Sequence, residues 1–416
     1  MRSDENFSQT RVQSFMSDQP ETEPAQRGLR VNLLILSIVM FNFASYLTIG
    51  LPLAVLPGFV HDTLGYSAFW AGLVISLQYL STLLSRPHAG RYADLWGAKT
   101  VVIVGLFGCL LSGVCTVLAA LTLSMPHLSL ALLCLGRLIL GVGQSFAGTG
   151  TTLWGVGRVG SLHIGRVISW NGIVTYGAMA IGAPLGVVIF RNGGLLLLAS
   201  VIILICLLAI VFAWPRPKVK GSKTEPMPFR AVLGKVYGLG LILAMGSAGF
   251  GVIATFITLF YRDKGWDGAA FALTLFSVAF VGTRLLFPNA INRRGGLHVA
   301  SVCLLVEAIG LFLVSGAFDP WMAKAGAFLT GAGFSLVFPA IGVEAVKKVP
   351  PQNQGSALAT YTAFMDLSLG ITGPIAGFIM SFAGIPLVYL LTALLVCTAL
   401  ACTLRLKQRH ARTPGT

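Results

Sequence analysis

The chain has 416 residues, of which 55% are hydrophobic and 10% charged, and its formal net charge is +15. Its mean hydropathy is +0.82, whereas a soluble domain carries about a quarter charged residues. These values exclude a water-soluble enzyme or nucleic-acid-binding domain in favour of an integral membrane protein, in which basic residues mark the side of the bilayer where they are retained.

Residues 1–30 are polar, hold five of the fourteen acidic residues and read as a disordered tail, with Met16 as an alternative start to Met1. No cleavable leader is expected, because the apolar run that follows is too long for one and suits an uncleaved first span. A bilayer core about 30 Å thick needs roughly 20 apolar residues per helix. Segments of that kind fall near 31–56, 69–89, 100–123, 129–156, 166–190, 195–213, 236–261, 269–287, 298–317, 322–346, 357–382 and 387–404. The expectation is an all-α membrane protein with twelve transmembrane helices in two pseudo-symmetric six-helix bundles. The first bundle covers 31–213 and the second 236–404, with a basic linker over 214–235 and a tail over 405–416.

Topology follows from counting charges. With both termini in the cytoplasm, that side receives 22 Lys and Arg, and the opposite side only Arg191, Arg262, Lys264 and Lys324. Arg86, Arg137 and Arg284 lie in spans or at their ends. An odd number of spans would mix the two sets, so both termini are placed inside.

An internal repeat divides the chain at the same linker. Gly136, Gly141, Gly143, Ser145, Gly165 and Pro184 recur 190 residues later as Gly326, Gly331, Gly333, Ser335, Gly355 and Pro374. Arg86 and Gly97 recur at an offset of 198 as Arg284 and Gly295. Ordered matches across two helices and a loop point to a duplicated six-helix unit.

Catalytic chemistry is poorly represented. The seven cysteines lie in apolar segments without metal-ligand spacing, and the six histidines are scattered over loops and span ends. No phosphate-cradling Gly-x-x-x-x-Gly-Lys-Ser/Thr sequence is present. A membrane-embedded enzyme is therefore the remote alternative, and no cofactor or metal is expected.

The charged residues inside spans carry more. Arg137 sits near mid-depth, where an arginine costs at least ~2.5–3.5 kcal/mol; it shares a stripe with Gly141, Gln144, Gly148 and Thr151. It either serves a cavity or caps backbone carbonyls. Asp366, also near mid-depth, shares a stripe with Thr362, Gly370, Gly373 and Gly377. A carboxylate there is a protonatable coupling site, exchanging partners with Arg137, or a satisfied interhelical hydrogen bond. Glu307 points into the bundle from the ninth span, and Glu344 lies at the end of the tenth.

The segment Gly90-Arg-Tyr-Ala-Asp94-Leu-Trp-Gly97-Ala-Lys99 joins the second and third spans. It resembles the signature loop of the major facilitator superfamily, and Pro288 to Gly296 resembles a decayed copy with Asn292 in place of the acid. Arg137-Leu-Ile-Leu-Gly141-Val-Gly143 resembles the Arg-x-x-x-Gly-x-Gly pattern of proton-coupled members. Gly373-Pro374-x-x-Gly377, and more weakly Ala183-Pro184-x-Gly186, resemble the antiporter pattern. Phe41-Asn-Phe-Ala-Ser-Tyr46 and Ser169-Trp-Asn-Gly172 are similar to the YhhS-like subgroup of bacterial inner-membrane exporters, itself grouped with arabinose-efflux permeases.

The resemblance implies a central cavity lined from Asn42, Gln78, Gln144, Asn171 and Tyr361, though such residues also bind neighbouring helices. It implies that Glu307, on a peripheral span, serves packing more than transport. Arg86, Gly90, Asp94, Gly97, Arg284 and Glu344 form an expected cytoplasmic gate, with snorkelling as the bland alternative. Gly141, Gly143, Pro184, Gly373, Pro374 and Gly377 are expected hinge or packing positions. The implied function is proton-coupled efflux of a small organic solute by a monomer in the inner membrane, driven by the proton gradient. Its partners are the solute and the lipid bilayer, with no nucleic acid. Import by symport or facilitation is the alternative.

Overall fold

The structure is a computed structural model that describes residues 24–160, 163–219, 229–349 and 354–412. The tail before residue 24, residues 220–228 of the linker and residues 413–416 lie outside the described residues.

Long apolar helices account for nearly all of it. They are α1 (Pro24–Leu53), α2 (Ala68–Trp96), α3 (Ala98–Leu121) and α4 (Pro126–Val159), then Ile164–Ala213. That last element is about 75 Å long at the usual helical rise, too long for one crossing. It breaks at Gly193 (φ −151°) and Gly194 (φ 63°, ψ −161°), a conformation closed to side chains, which yields α5 (164–192) and α6 (195–213). The second half holds α7 (Phe229–Asp263), α8 (Ala269–Leu286), α9 (Gly296–Ser315), α10 (Pro320–Val346), α11 (Gln354–Ala383) and α12 (Ile385–Arg412). Twelve membrane-length helices and no strand occur among the described residues.

In the first bundle α1 packs along α5, and α3 and α2 along α4; in the second, α9 and α8 pack along α10, and α7 along α11. The bundles meet where α2 runs beside α11 and α5 beside α8. The outward faces carry exposed Leu84, Phe107, Phe212 and Ile375, the apolar surface that a helix presents to lipid. Inside the bundles, glycine lets backbones approach. Gly143 stands against Gly105, Gly108 and Cys109, and its repeat mate Gly333 against Cys303 and Glu307, the mates of Gly105 and Cys109. Likewise Gly141 abuts the carbonyl of Gln78, and Gly331 that of Phe276, 198 residues on. The duplication is thus repeated in the packing as well as in the sequence.

The Gly90–Lys99 segment differs from the loop expected of it. Helix α2 continues through it to Trp96, and the turn is the single residue Gly97, at φ 86° and ψ 146°. Its mate Gly295 adopts φ 81° and ψ 150° before α9. Gly90 lies within α2 with open space at its Cβ position. Lys99 Nζ donates to the carbonyl of Trp214 at 2.5 Å, capping the end of α6, while Trp154 Nε1 donates to the carbonyl of Pro217 at 3.2 Å. The Lys99→Met variant should therefore unfold at lower temperature in detergent. The loss is about 2 kcal/mol, as for hydrogen bonds to a charged group.

Candidate functional site

Polar side chains converge where the two bundles face each other at mid-depth. From α4, Arg137 donates through Nη1 to Gln78 Oε1 of α2 at 3.0 Å, and Gln78 Nε2 donates to Gln144 Oε1 at 3.2 Å. Asn42 Nδ2 of α1 donates to Thr175 Oγ1 of α5 at 3.2 Å, leaving Asn42 Oδ1 buried with no partner among the described residues. Tyr46 stands beside Thr175 and Gln144, within electrostatic range of both Arg86 and Asp366. Tyr79 extends that range to Arg137.

Asp366 and Arg86 join the bundles. Arg86 on α2 grips the Asp366 carboxylate of α11 with two parallel bonds, one from Nε to Oδ2 and one from Nη2 to Oδ1 at 3.1 Å. Such fork-to-fork pairs are the strongest charge-assisted kind. The Asp366 side chain is 3% exposed and that of Arg86 26%. In this arrangement Asp366 is held by Arg86 and not by Arg137, the residue with which it was expected to exchange partners. The α2–α11 seam brings Arg86 to the acid first, and Arg137 turns to Gln78 within its own bundle.

The second bundle presents a different wall. At the sites equivalent to Gln78 and Gln144 stand Phe276 and Phe334. They pack with Phe250, Phe280 and Tyr176; the rings of Phe250 and Phe334 lie 5.9 Å apart and nearly parallel, and those of Tyr176 and Phe280 stack at 3.4 Å. One side of the junction is amide-rich, and the other aromatic.

Other expected site residues find partners of their own. Arg284 donates from Nε and Nη2 to the Ser335 carbonyl at 3.3 and 3.2 Å and lies over the Phe280 ring at 4.7 Å. Glu344 bonds to Lys347 one turn on, at 2.9 Å. No ion pair joins Arg284 to Glu344 among the described residues, and the Asp94 side chain lies outside the described residues. Tyr361 donates to the Phe338 carbonyl at 3.0 Å, tying α11 to α10, and Asn171 donates to Thr152 at 2.9 Å. Glu307 is fully buried between α9 and the Gly246–Gly249 notch of α7, and neither oxygen has a partner among the described residues. Pro184 and Pro374 lie inside α5 and α11.

At the end of the bundles opposite the termini, backbone meets backbone. Gly72 of α2 lies against Gly373 of α11, Gly377 against Ala68 and Phe69, and Ser76 donates to the Leu369 carbonyl at 3.2 Å. An ion pair between Arg262 at the end of α7 and Asp62 of the α1–α2 connection bridges the halves at this end. Gly72, Asp62, Tyr46 and Tyr176 were not singled out by the sequence. Tyr176 could have been found, since it is the 190-residue mate of Asp366. Being exposed, the latch contributes at most about 1 kcal/mol and is salt-sensitive. Arg262→Gln should speed maleimide labelling of a cysteine placed at Met380, beside the latch, by about threefold in low salt. In high salt the wild-type and variant rates should converge.

A two-bundle, twelve-helix membrane protein with a polar junction at mid-depth is the architecture of a solute transporter. The chain belongs to the Major Facilitator Superfamily, whose model matches residues 38–323 and 239–416. It is 72% identical over 391 residues to the MFS-type transporter YhhS of Escherichia coli strain K12, covering 94% of this chain and 96% of that one. The same relative in Salmonella typhimurium strain LT2 is 70% identical over 391 residues, with the same coverage of both chains. Among solved structures, a D-xylose-proton symporter matches 89% of this chain and 97% of its own, at TM-score 0.74 and 15% identity. The nucleoside transporter NupG matches 89% and 99%, at TM-score 0.67 and 17% identity. These two likenesses show the shared fold.

Proposed function

We propose that this transporter couples movement of a small organic solute to protons by alternating access to the mid-depth junction. It exports that solute across the bacterial inner membrane, with both termini in the cytoplasm. The Arg86–Asp366 ion pair carries the reading. It is a buried carboxylate whose partner belongs to the other bundle, so its protonation state and the fit of the two halves depend on one another. A proton on Asp366 removes the charge that holds Arg86 and loosens the α2–α11 seam. A ligand shifts a conformational balance only by binding its two states differently, and here the proton does so. The gradient supplies the energy, so no bound cofactor is required, and one chain supplies both walls of the site, so a monomer suffices.

The same pair supports a second reading, co-transport. A solute that takes Asp366's place on Arg86 is bound best when Asp366 is protonated, and proton and solute then move together in whichever direction their gradients dictate.

Reconstituted protein with a pH-sensitive dye inside the vesicles tests the coupling. A solute that drives flux should move protons with it or against it, and abolishing the pH gradient with an ionophore should abolish accumulation. Accumulation that persists without the gradient would overturn the coupling.

A further inference from the structure

The duplication is unequal in charge. At the α2–α11 contact Arg86 faces Asp366. At the symmetry-related α8–α5 contact the mate of Arg86 is Arg284, and the mate of Asp366 is Tyr176. Tyr176 and Arg284 lie within electrostatic range of each other, and Arg284 Nη1 occupies the space beside Gly172 of α5. A phenol thus stands where the other interface has a carboxylate. Arg137 is 8% exposed and bonds to a neutral amide. Neither Arg137 nor Arg284 has a carboxylate partner among the described residues. Tyr46, Tyr79 and Tyr176 lie within electrostatic range of one another, and Tyr79 and Tyr176 of Arg137 and Arg284 respectively. The junction thus holds three guanidinium groups against Asp366, which Arg86 already grips, and Glu307, which lies within range of Tyr176 but bonds to none of the arginines.

Buried cations without counter-charges are unstable, and guanidinium groups offer several donors in a planar fork suited to carboxylate, sulfonate or phosphonate oxygens. Across the junction from Arg86 and Arg137 lie the rings of Phe250, Phe276, Phe280 and Phe334, with Arg284 over the Phe280 ring. We infer that the junction receives an organic anion with a planar apolar face, and that it takes this anion together with a proton on Asp366. The inference rests on the coupling reading above. The anion's oxygens replace the Asp366 carboxylate on Arg86 once Asp366 is neutral, so net charge at the site is conserved through the exchange. The titratable groups facing Asp366 are Arg86 and Tyr79 from α2 and Tyr46 from α1. From α7 comes Tyr237, against Phe364, while Ala244 offers its carbonyl to Ser368. Helix α10 meets α11 through the Phe338 carbonyl, with Glu344 held on Lys347.

The test uses the full chain purified in detergent and three probes of one size. Benzenesulfonate is ionised throughout, benzenesulfonamide is its neutral twin, and benzylammonium carries the opposite charge. Thermal stability should rise with benzenesulfonate alone, and its affinity should be about tenfold higher near pH 5 than near pH 8, as for a site whose proton and ligand bind cooperatively. Asp366→Asn should bind it equally well at both pH values. Arg137→Gln and Arg284→Gln should each lose the response yet melt higher than wild type when empty, because an unbalanced charge has gone. Arg284→Lys should retain part of the response. That opposite movement of empty-state stability and ligand response is not expected of a purely structural arginine. No shift with benzenesulfonate, or an equal shift with either other probe, would overturn the inference.

The empty protein separates the two readings. If its melting temperature varies with pH in wild type and not in Asp366→Asn, while benzenesulfonate has no effect, the proton site stands and the anion does not. If the two titrate alike, the coupling fails and joint binding with it.

Discussion

Replacing Asp366 with asparagine is expected to abolish solute accumulation driven by a pH gradient, while exchange of labelled for unlabelled solute across the membrane continues. The amide keeps the size of the carboxyl and cannot change charge, so the α2–α11 seam loses its dependence on protons. Stability should fall as well, because the half-buried Arg86 is left without its acid; breaking one side of a fully buried pair costs about 3–5 kcal/mol, and the access of Arg86 to solvent reduces the loss below that. The double variant Arg86→Met/Asp366→Leu separates the two effects. Replacing both partners with apolar groups restores much of the stability and leaves coupling absent. Melting temperature in detergent reads the first effect, and gradient-driven flux against counterflow in the same vesicles reads the second. Full gradient-driven accumulation in Asp366→Asn would remove Asp366 from the coupling role.

Gly72→Val is expected to hold the transporter open at the end opposite the termini. A Cβ at Gly72 would strike the Gly373 carbonyl and its neighbouring carbons, all of them backbone. Nothing there can swing aside, and overpacking of this kind costs about 1–3 kcal/mol. The strain exists only in the closed arrangement, so it acts as a bias between states. At about 2.8 kcal/mol it shifts the balance about a hundredfold. Net transport should fall by a similar factor, with solute binding from the open face retained. A cysteine at Ser76, which faces Leu369 across the seam, should become reactive to membrane-impermeant reagents in the Gly72→Val background. Unchanged labelling would show that the seam tolerates the side chain.

Helix number, duplication and family were legible in the sequence because hydropathy and ordered glycine spacing act over whole segments. Pairings were not. The sequence places Arg137 and Asp366 along their helices, yet position along an axis does not say which helix comes alongside. That depends on how tightly α2 and α11 approach, which is set by Gly72 and Gly373, residues with no charge to draw notice. The extent of α2 was missed for a related reason. Gly90 and Gly97 looked alike as turn residues, and only the backbone shows that Gly97 alone takes φ 86°. The aromatic wall was hidden among 26 phenylalanines, and it emerges once the repeat offset is applied to Gln78 and Gln144.

The seam of Gly72, Gly373 and Gly377 has a kinetic consequence. When side chains interlock, each closure freezes rotamers, at up to ~2 kcal/mol for the longest ones. Glycines have none to freeze. The two helices can part and rejoin with almost no loss of side-chain disorder, so the entropic barrier to closing stays small. Speed and reversibility are then built into the surface that seals the route, and charge at Asp366 is left to decide when it opens.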